Sequence, residues 1–142
     1  MPYFRDVSWY RGKKVPLFKR AQITASDLSL AFSGAGYGAF DLEQLTIFAD
    51  NLVPHVLRTD GLLHYHQELA ERIARSELIP PGSTEEIEIR ALALHTVEVM
   101  TAALRTRGVR ASAYQLDVLL WNRGQQARYQ KLPRHRTRTV YY

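Results

Sequence analysis

Residues 80–107, PPGSTEEIEIRALALHTVEVMTAALRTR, decide the fold class. Pro80-Pro81-Gly82 breaks whatever precedes it, because proline lacks the backbone donor that regular structure needs. Ser83 followed three residues later by Glu86 is a capping box, the sequence signature of a helix start. The helix it opens is expected to run to about Arg107. Within it Glu86 and Arg90 are spaced for a pair of modest worth, while Glu88 lies on another face.

Reading outward gives more helices. Ser112 with Gln115 repeats the capping device and opens a segment through Leu116, Leu119 and Leu120 to about Ala127. Residues 66–77 place Leu69 and Ile73 inward and Glu68, Glu71 and Arg72 outward, an amphipathic helix. Asp41 is a plausible N-cap for a helix through Leu42, Leu45, Phe48 and Ala49. Asn51 to Pro54 interrupts it, and a new turn is expected at Pro54. Upstream, Phe18, Ala21, Ile23, Ala25, Leu28, Leu30, Ala31 and Phe32 keep helical spacings that Gly34 ends. Ser33-Gly34-Ala35-Gly36-Tyr37-Gly38 is a loop that matches neither a P-loop nor a dinucleotide fingerprint. Residues 1–16 form an extended arm with a short hairpin across Tyr10-Arg11-Gly12-Lys13. Residues 131–142 form an extended basic and aromatic tail. The expectation is a mainly α, single helical domain over 1–142, with five to six helices and extended N- and C-terminal arms.

Composition removes several function classes. The 142 residues carry 19 Lys and Arg against 14 Asp and Glu, a formal charge of +5, and no cysteine. Without cysteine this chain has no disulfide, no thiolate nucleophile and no cysteine-ligated metal. A reducing, cytoplasmic setting is expected. No run of about 18 apolar residues offers a membrane span. The opening MPYFRDVSWYRGKKV has no apolar h-region, so no secretory signal is expected. Residues 1–20 and 128–142 each carry a net +5, while 21–127 carry −5. If the basic ends meet, they suit a phosphate or a nucleic-acid backbone. A small basic nucleic-acid-binding domain is therefore the alternative reading, although no helix-turn-helix or zinc-finger pattern supports it.

A few residues stand out chemically. Asp50 lies at a helix end just before Pro54, where it either caps the turn or serves as a rigidly held catalytic carboxylate. Asp117 sits in the apolar run Tyr114 to Trp121, and Asp27 in the first long helix; either faces solvent, pairs, or binds. Lys19 and Arg20 open a helix, an unfavourable place for cations unless an anion is near. His55, His64, His66, His95 and His135 form no metal motif, and no metal or cofactor is expected. The tail from Leu132 through His135, Arg136 and Arg138 to Tyr141 and Tyr142 suits a phosphate site or aromatic packing.

These pieces, taken in order, resemble the queuosine salvage protein family. The resemblance runs through Phe4-Arg5-Asp6, Tyr10-x-Gly12, Lys19-Arg20-Ala21-Gln22-Ile23 with Asp27-Leu28, and Leu45-Thr46-x-Phe48-Ala49-Asp50. It continues through Val53-Pro54-x-Val56-Leu57, Gly61-x-Leu63-x-Tyr65, and Gly82-Ser83-x-x-Glu86-x-Glu88-Ile89-Arg90-Ala91. It closes with Leu116-Asp117, Leu120-Trp121, His135-Arg136-Thr137-Arg138 and Tyr141-Tyr142. Leu52 departs from the pattern, standing where the family commonly has arginine.

The resemblance implies a fold similar to helical DNA glycosylases and metal-independent release of queuine from queuosine 5′-phosphate. It implies a catalytic carboxylate at Asp50 and an active-site lysine at Lys19. Chemistry and location add Asp27, Asp117, Phe48 and Trp121 as substrate-binding residues. Lys19, His135, Arg136 and Arg138 are the cations available to the phosphate, and Phe18 and Tyr65 are further stacking candidates. The resemblance also implies likeness to the family's C-terminal half only, and the favoured reading is a natural fragment whose N-terminal half is a separate partner chain or was lost to a misplaced start. A compact member that works alone and an inactive domain are the other two readings.

Overall fold

The computed structural model describes residues 1–33 and 41–142. The glycine loop expected from Ser33 to Gly38, and the helix end at Gly34, fall outside the described residues from 34 on. Two short strands, β1 (Val7–Tyr10) and β2 (Lys13–Pro16), pair antiparallel. Arg11 and Gly12 join them with φ of +48° and +77°, the doubly left-handed turn that matches strand twist in two-residue hairpins. Among the described residues six α-helices follow: α1 (Lys19–Ala31), α2 (Leu52–Thr59), α3 (Gln67–Ala74), α4 (Thr84–Thr106), α5 (Ala113–Gly124) and α6 (Ala127–Gln130). The chain is mainly α-helical, as expected.

The caps read in the sequence are made. Ser83 accepts the Glu86 N–H, and Ser112 and Gln115 exchange both bonds of a capping box. At Ser83 the box is half-made, because Glu86 Oε2 accepts the Gly82 N–H instead. The sequence set the end of α5 too late. It stops at Gly124, and Ala127–Gln130 form a separate short turn of helix.

The expected helix from Leu42 through Ala49 does not form. Asp41 caps only a 3-10 turn over Leu42–Gln44. From there to Asp50 the chain is extended and its burial alternates: Ile47 and Ala49 are fully buried, with Thr46, Phe48 and Asp50 half-exposed between them. That is the period-two pattern of an extended segment. Its backbone groups are satisfied from three directions. Gln22 of α1 accepts the Thr46 N–H at 2.9 Å, Asp117 of α5 accepts the Phe48 N–H at 2.8 Å, and Arg90 of α4 donates to the Ala49 carbonyl at 2.8 Å. These side chains replace the bonds a helix would have supplied.

Helix α2 is the centre of the molecule, with Leu52 through Leu57 all buried. It starts at Leu52 rather than Pro54, since proline is tolerated within a first turn. Val53, Val56 and Leu57 pack with Ala93 and Val97 of α4, Leu116 and Leu120 of α5, and Ile47. Helix α5 crosses close to α2 at Gly124. A Cβ there would meet Leu52 Cδ1 at 2.9 Å, so the approach requires glycine. Helix α1 is less embedded: Ser26 is its one buried residue, and Leu28 and Leu30 are exposed. The tail returns across the body through a parallel bridge, the Ile79 N–H donating to the Arg136 carbonyl at 2.8 Å. No helix among the described residues is long and apolar enough to cross a membrane.

Candidate functional site

The extended segment ends where α2 begins, and Asp50 sits at that junction. Its Oδ1 accepts the N–H groups of Leu52 at 2.7 Å and Val53 at 3.3 Å. It is thus the cap of α2, although Asn51 precedes the helix directly. The two readings of Asp50 are compatible, because one oxygen does all the capping. Among the described residues no hydrogen bond engages Oδ2.

That side chain faces a cleft of about 300 Å³. Helix α1 contributes Lys19, Ile23 and Asp27; the extended segment and α2 contribute Phe48, Asp50 and Val53; α5 contributes Asp117, Val118 and Trp121. Six residues proposed from sequence therefore share one cavity: Lys19, Asp27, Phe48, Asp50, Asp117 and Trp121. Trp121 is 48 % exposed, and the Phe48 ring is braced by Tyr114 at 5.9 Å between centroids. Lys19 makes no salt bridge within 4 Å among the described residues, so its charge stays available to a ligand.

Two other hollows, of about 660 and 540 Å³, hold none of these six residues, and Tyr65 lines the first. Ion pairs wall the first, among them Arg72 with Glu85 at 3.0 Å and Arg75 with Glu77 at 2.7 Å. Their charges already satisfy each other.

The tail residues do not join the cleft. His135 is 2 % exposed, and burial, aided by the Arg90 charge, pushes it down to about 4. It is neutral at physiological pH, which corrects its reading as a phosphate-binding cation. Arg136 and Arg138 are exposed and line no part of the cleft; Arg138 instead borders a shallow hollow with Pro81 and Tyr141. Phe18 and Tyr65 also lie outside the cleft, Tyr65 packing against the core and under the Arg58 guanidinium at 5.1 Å.

Asp117 is nearly as buried as the core, at 3 % exposure. Desolvation pushes its carboxyl up to about 6; the Asp50 charge adds to the rise, while the Phe48 N–H bond and Lys19 oppose it. The native chain therefore holds this proton to higher pH than the unfolded chain does. Stability falls as pH rises from about 4 to about 6, the window between the two values. Asp117→Asn keeps an oxygen for Phe48 and removes the charge. Urea denaturation at both pH values should then show a pH-dependent loss smaller by about 2–3 kcal/mol. An unchanged loss would place the Asp117 charge in solvent.

Among the described residues, no group of three or more His, Cys, Asp or Glu is arranged to hold a metal ion. Sequence reasoning missed the network behind the cleft. Glu86 and Arg90 are a buried pair rather than a modest surface one, and Asp6 completes a triad with them. The only signal for Asp6 was its place in the Phe4-Arg5-Asp6 motif.

A model of the queuosine salvage protein family matches residues 1–142. The chain belongs to that family. It is 53 % identical to a queuosine 5′-phosphate N-glycosylase/hydrolase of Sphaerobacter thermophilus over 99 % of its length, covering 44 % of that protein. A protein of the same name from Dictyostelium discoideum is 42 % identical over 98 % of the chain and 44 % of the relative. One from Bos taurus is 34 % identical over 99 % and 45 % respectively. The expectation of a likeness to the family's C-terminal half alone is corrected, because the family match takes in the whole of this chain. The chain spans less than half the length of these queuosine salvage relatives.

Proposed function

We propose that this queuosine salvage chain acts in hydrolysis of the N-glycosidic bond of queuosine 5′-phosphate, releasing queuine. The observation that carries the reading is Asp50: a carboxylate fixed by two backbone N–H groups, facing an apolar-walled cleft with one oxygen uncommitted. The substrate comes from the name of relatives up to 53 % identical.

Breaking an N-glycosidic bond builds positive charge on the ribose as the base departs. A carboxylate held beneath the sugar stabilises that charge and can orient or deprotonate the attacking water. Water adds at the anomeric carbon, the bond to the base breaks, and its electron pair leaves with the base. The products are queuine and ribose 5-phosphate. A 7-deaza base offers no N7 to protonate, so help must come from hydrogen bonds elsewhere on the ring. Asp117, pushed up to about 6, is the wall carboxyl that keeps its proton closest to neutral pH. Asp27, on the exposed rim, suits the cationic amine of the queuine side chain. Lys19 is the cation of the cleft itself and the natural partner of the phosphate. The kinship of the helical fold to DNA glycosylases and a cytoplasmic setting belong to the same reading. A concave cleft favours it over a nucleic-acid-binding surface.

Trp121, half-exposed on α5, is the stacking face for the base. Stacking of a base on an aromatic ring contributes about 1–3 kcal/mol, so Trp121→Ala is expected to raise KM about tenfold with a smaller change in kcat. An unchanged KM would take Trp121 out of the binding site. The reaction itself is tested by its products. Free base and sugar phosphate should appear in equal amounts, whereas inorganic phosphate as the sole product would put cleavage at the wrong bond.

A further inference from the structure

Arg90 of α4 is 1 % exposed and lines no part of the cleft, yet backbone on both sides of the cleft depends on it. Its Nε donates to the Ala49 carbonyl at 2.8 Å, one residue before Asp50. Its two terminal nitrogens fork onto both oxygens of the buried Asp6. Asp6 Oδ2 in turn accepts the backbone N–H of Lys19 at 3.2 Å. The Asp6 carbonyl takes the N–H groups of Leu17 at 2.9 Å and Phe18 at 3.1 Å.

Phe18 needs that grip. With φ +49° and ψ +32° it is left-handed, a region a phenylalanine occupies at a cost of about 1–2 kcal/mol. It offers α1 no capping side chain, and the Asp6 carboxylate takes that place. The guanidinium is held from its other side as well. Arg90 donates to Glu86 Oε1 at 3.1 Å, the Tyr142 hydroxyl donates to the same oxygen at 3.0 Å, and the Tyr142 ring lies 4.6 Å from the guanidinium carbon.

We propose that Arg90 is the positioning residue of this site, fixing the backbone that launches Lys19 and the backbone that carries Asp50, with Tyr142 holding the guanidinium in place. The kinetic consequence rests on the hydrolase reading; the geometric one does not.

Arg90→Lys keeps the buried charge, but an ammonium cannot fork onto Asp6 and reach the Ala49 carbonyl together. Tyr142→Phe is the milder variant, keeping the ring and losing the hydroxyl that bonds Glu86; it replaces Arg90→Lys if circular dichroism shows the latter unfolded. The first readout is carbon-13 NMR titration of the Asp117 carboxyl. Asp50 and Lys19 are the charges that act on it, so displacing either moves its midpoint. The second is kinetic: queuine release by Arg90→Lys should lose about a hundredfold in kcat, the scale of an ångström's misplacement, with KM within about threefold. A purely structural role would lower the unfolding midpoint only. An Asp117 midpoint and a kcat per folded molecule both at wild-type values would overturn the proposal. If the wild-type chain releases no base, alone or with the part of a relative that it does not span added, the hydrolase reading fails by itself. The titration then decides alone: a moved midpoint supports the positioning role and an unmoved one refutes it.

Discussion

Asp50→Asn is expected to fold normally and to lose about a thousandfold in base release. The two halves of that expectation come from the two oxygens. Oδ1 accepts the Leu52 and Val53 N–H groups, and asparagine caps a helix about as well as aspartate does. The urea midpoint should therefore move little. What asparagine cannot supply is the negative charge beneath a sugar that turns positive as the base leaves. Removing preorganised charge stabilisation of that kind costs on the order of 10² to 10³ in kcat, and loss of a general base for water adds to it. Base release measured at saturating queuosine 5′-phosphate checks this. A folded variant within about tenfold of wild type would remove Asp50 from its role.

Asp6→Ala is expected to destabilise the chain by about 3–5 kcal/mol, the range for unpairing a buried ion pair. At this chain length that corresponds to a fall of roughly 10–17 °C in Tm. Asp6 and Arg90 are 0 % and 1 % exposed, so water does not replace the lost partner. Both terminal nitrogens of Arg90 lose an acceptor, and the Lys19 N–H loses its cap. Urea denaturation, followed by circular dichroism, measures the change. A loss under about 1 kcal/mol is the size expected of a surface pair and would contradict the burial.

Most helices were legible because their signals are local. Ser83 with Glu86 and Ser112 with Gln115 mark starts that hold in the structure. The stretch from Leu45 to Ala49 was misread because a few apolar residues fit both a helical and an alternating pattern. The choice was made by Gln22, Asp117 and Arg90, which lie 24, 69 and 41 positions away from the backbone groups they bind. No local rule contains those bonds.

The site shows the same division. Asp50 and Asp117 drew attention as carboxylates in apolar surroundings, and Lys19 as a cation at the wrong end of a helix. All three line the cleft. His135 misled because its neighbours Arg134, Arg136 and Arg138 suggested a solvated cationic strip, whereas the tail turns that one ring inward. The Asp6–Arg90 contact joins residues 84 apart, and only packing reveals it. The family's implied C-terminal boundary was a matter of the relatives' lengths, not of any residue in this chain, and the match over all of 1–142 replaced it.

The central claim is that a carboxylate in this cleft drives cleavage of a nucleotide's glycosidic bond. Its most direct measurement is the time course of free queuine released from queuosine 5′-phosphate by the purified 142-residue chain, with Asp50→Asn run beside it. Turnover is expected from the wild type, alone or with the part of a relative that it does not span added, with equal yields of ribose 5-phosphate and almost none of either from the variant. Folded wild-type chain that releases no base either alone or with the part of a relative that this chain does not span added to it, or the two proteins releasing it at equal rates, would contradict it.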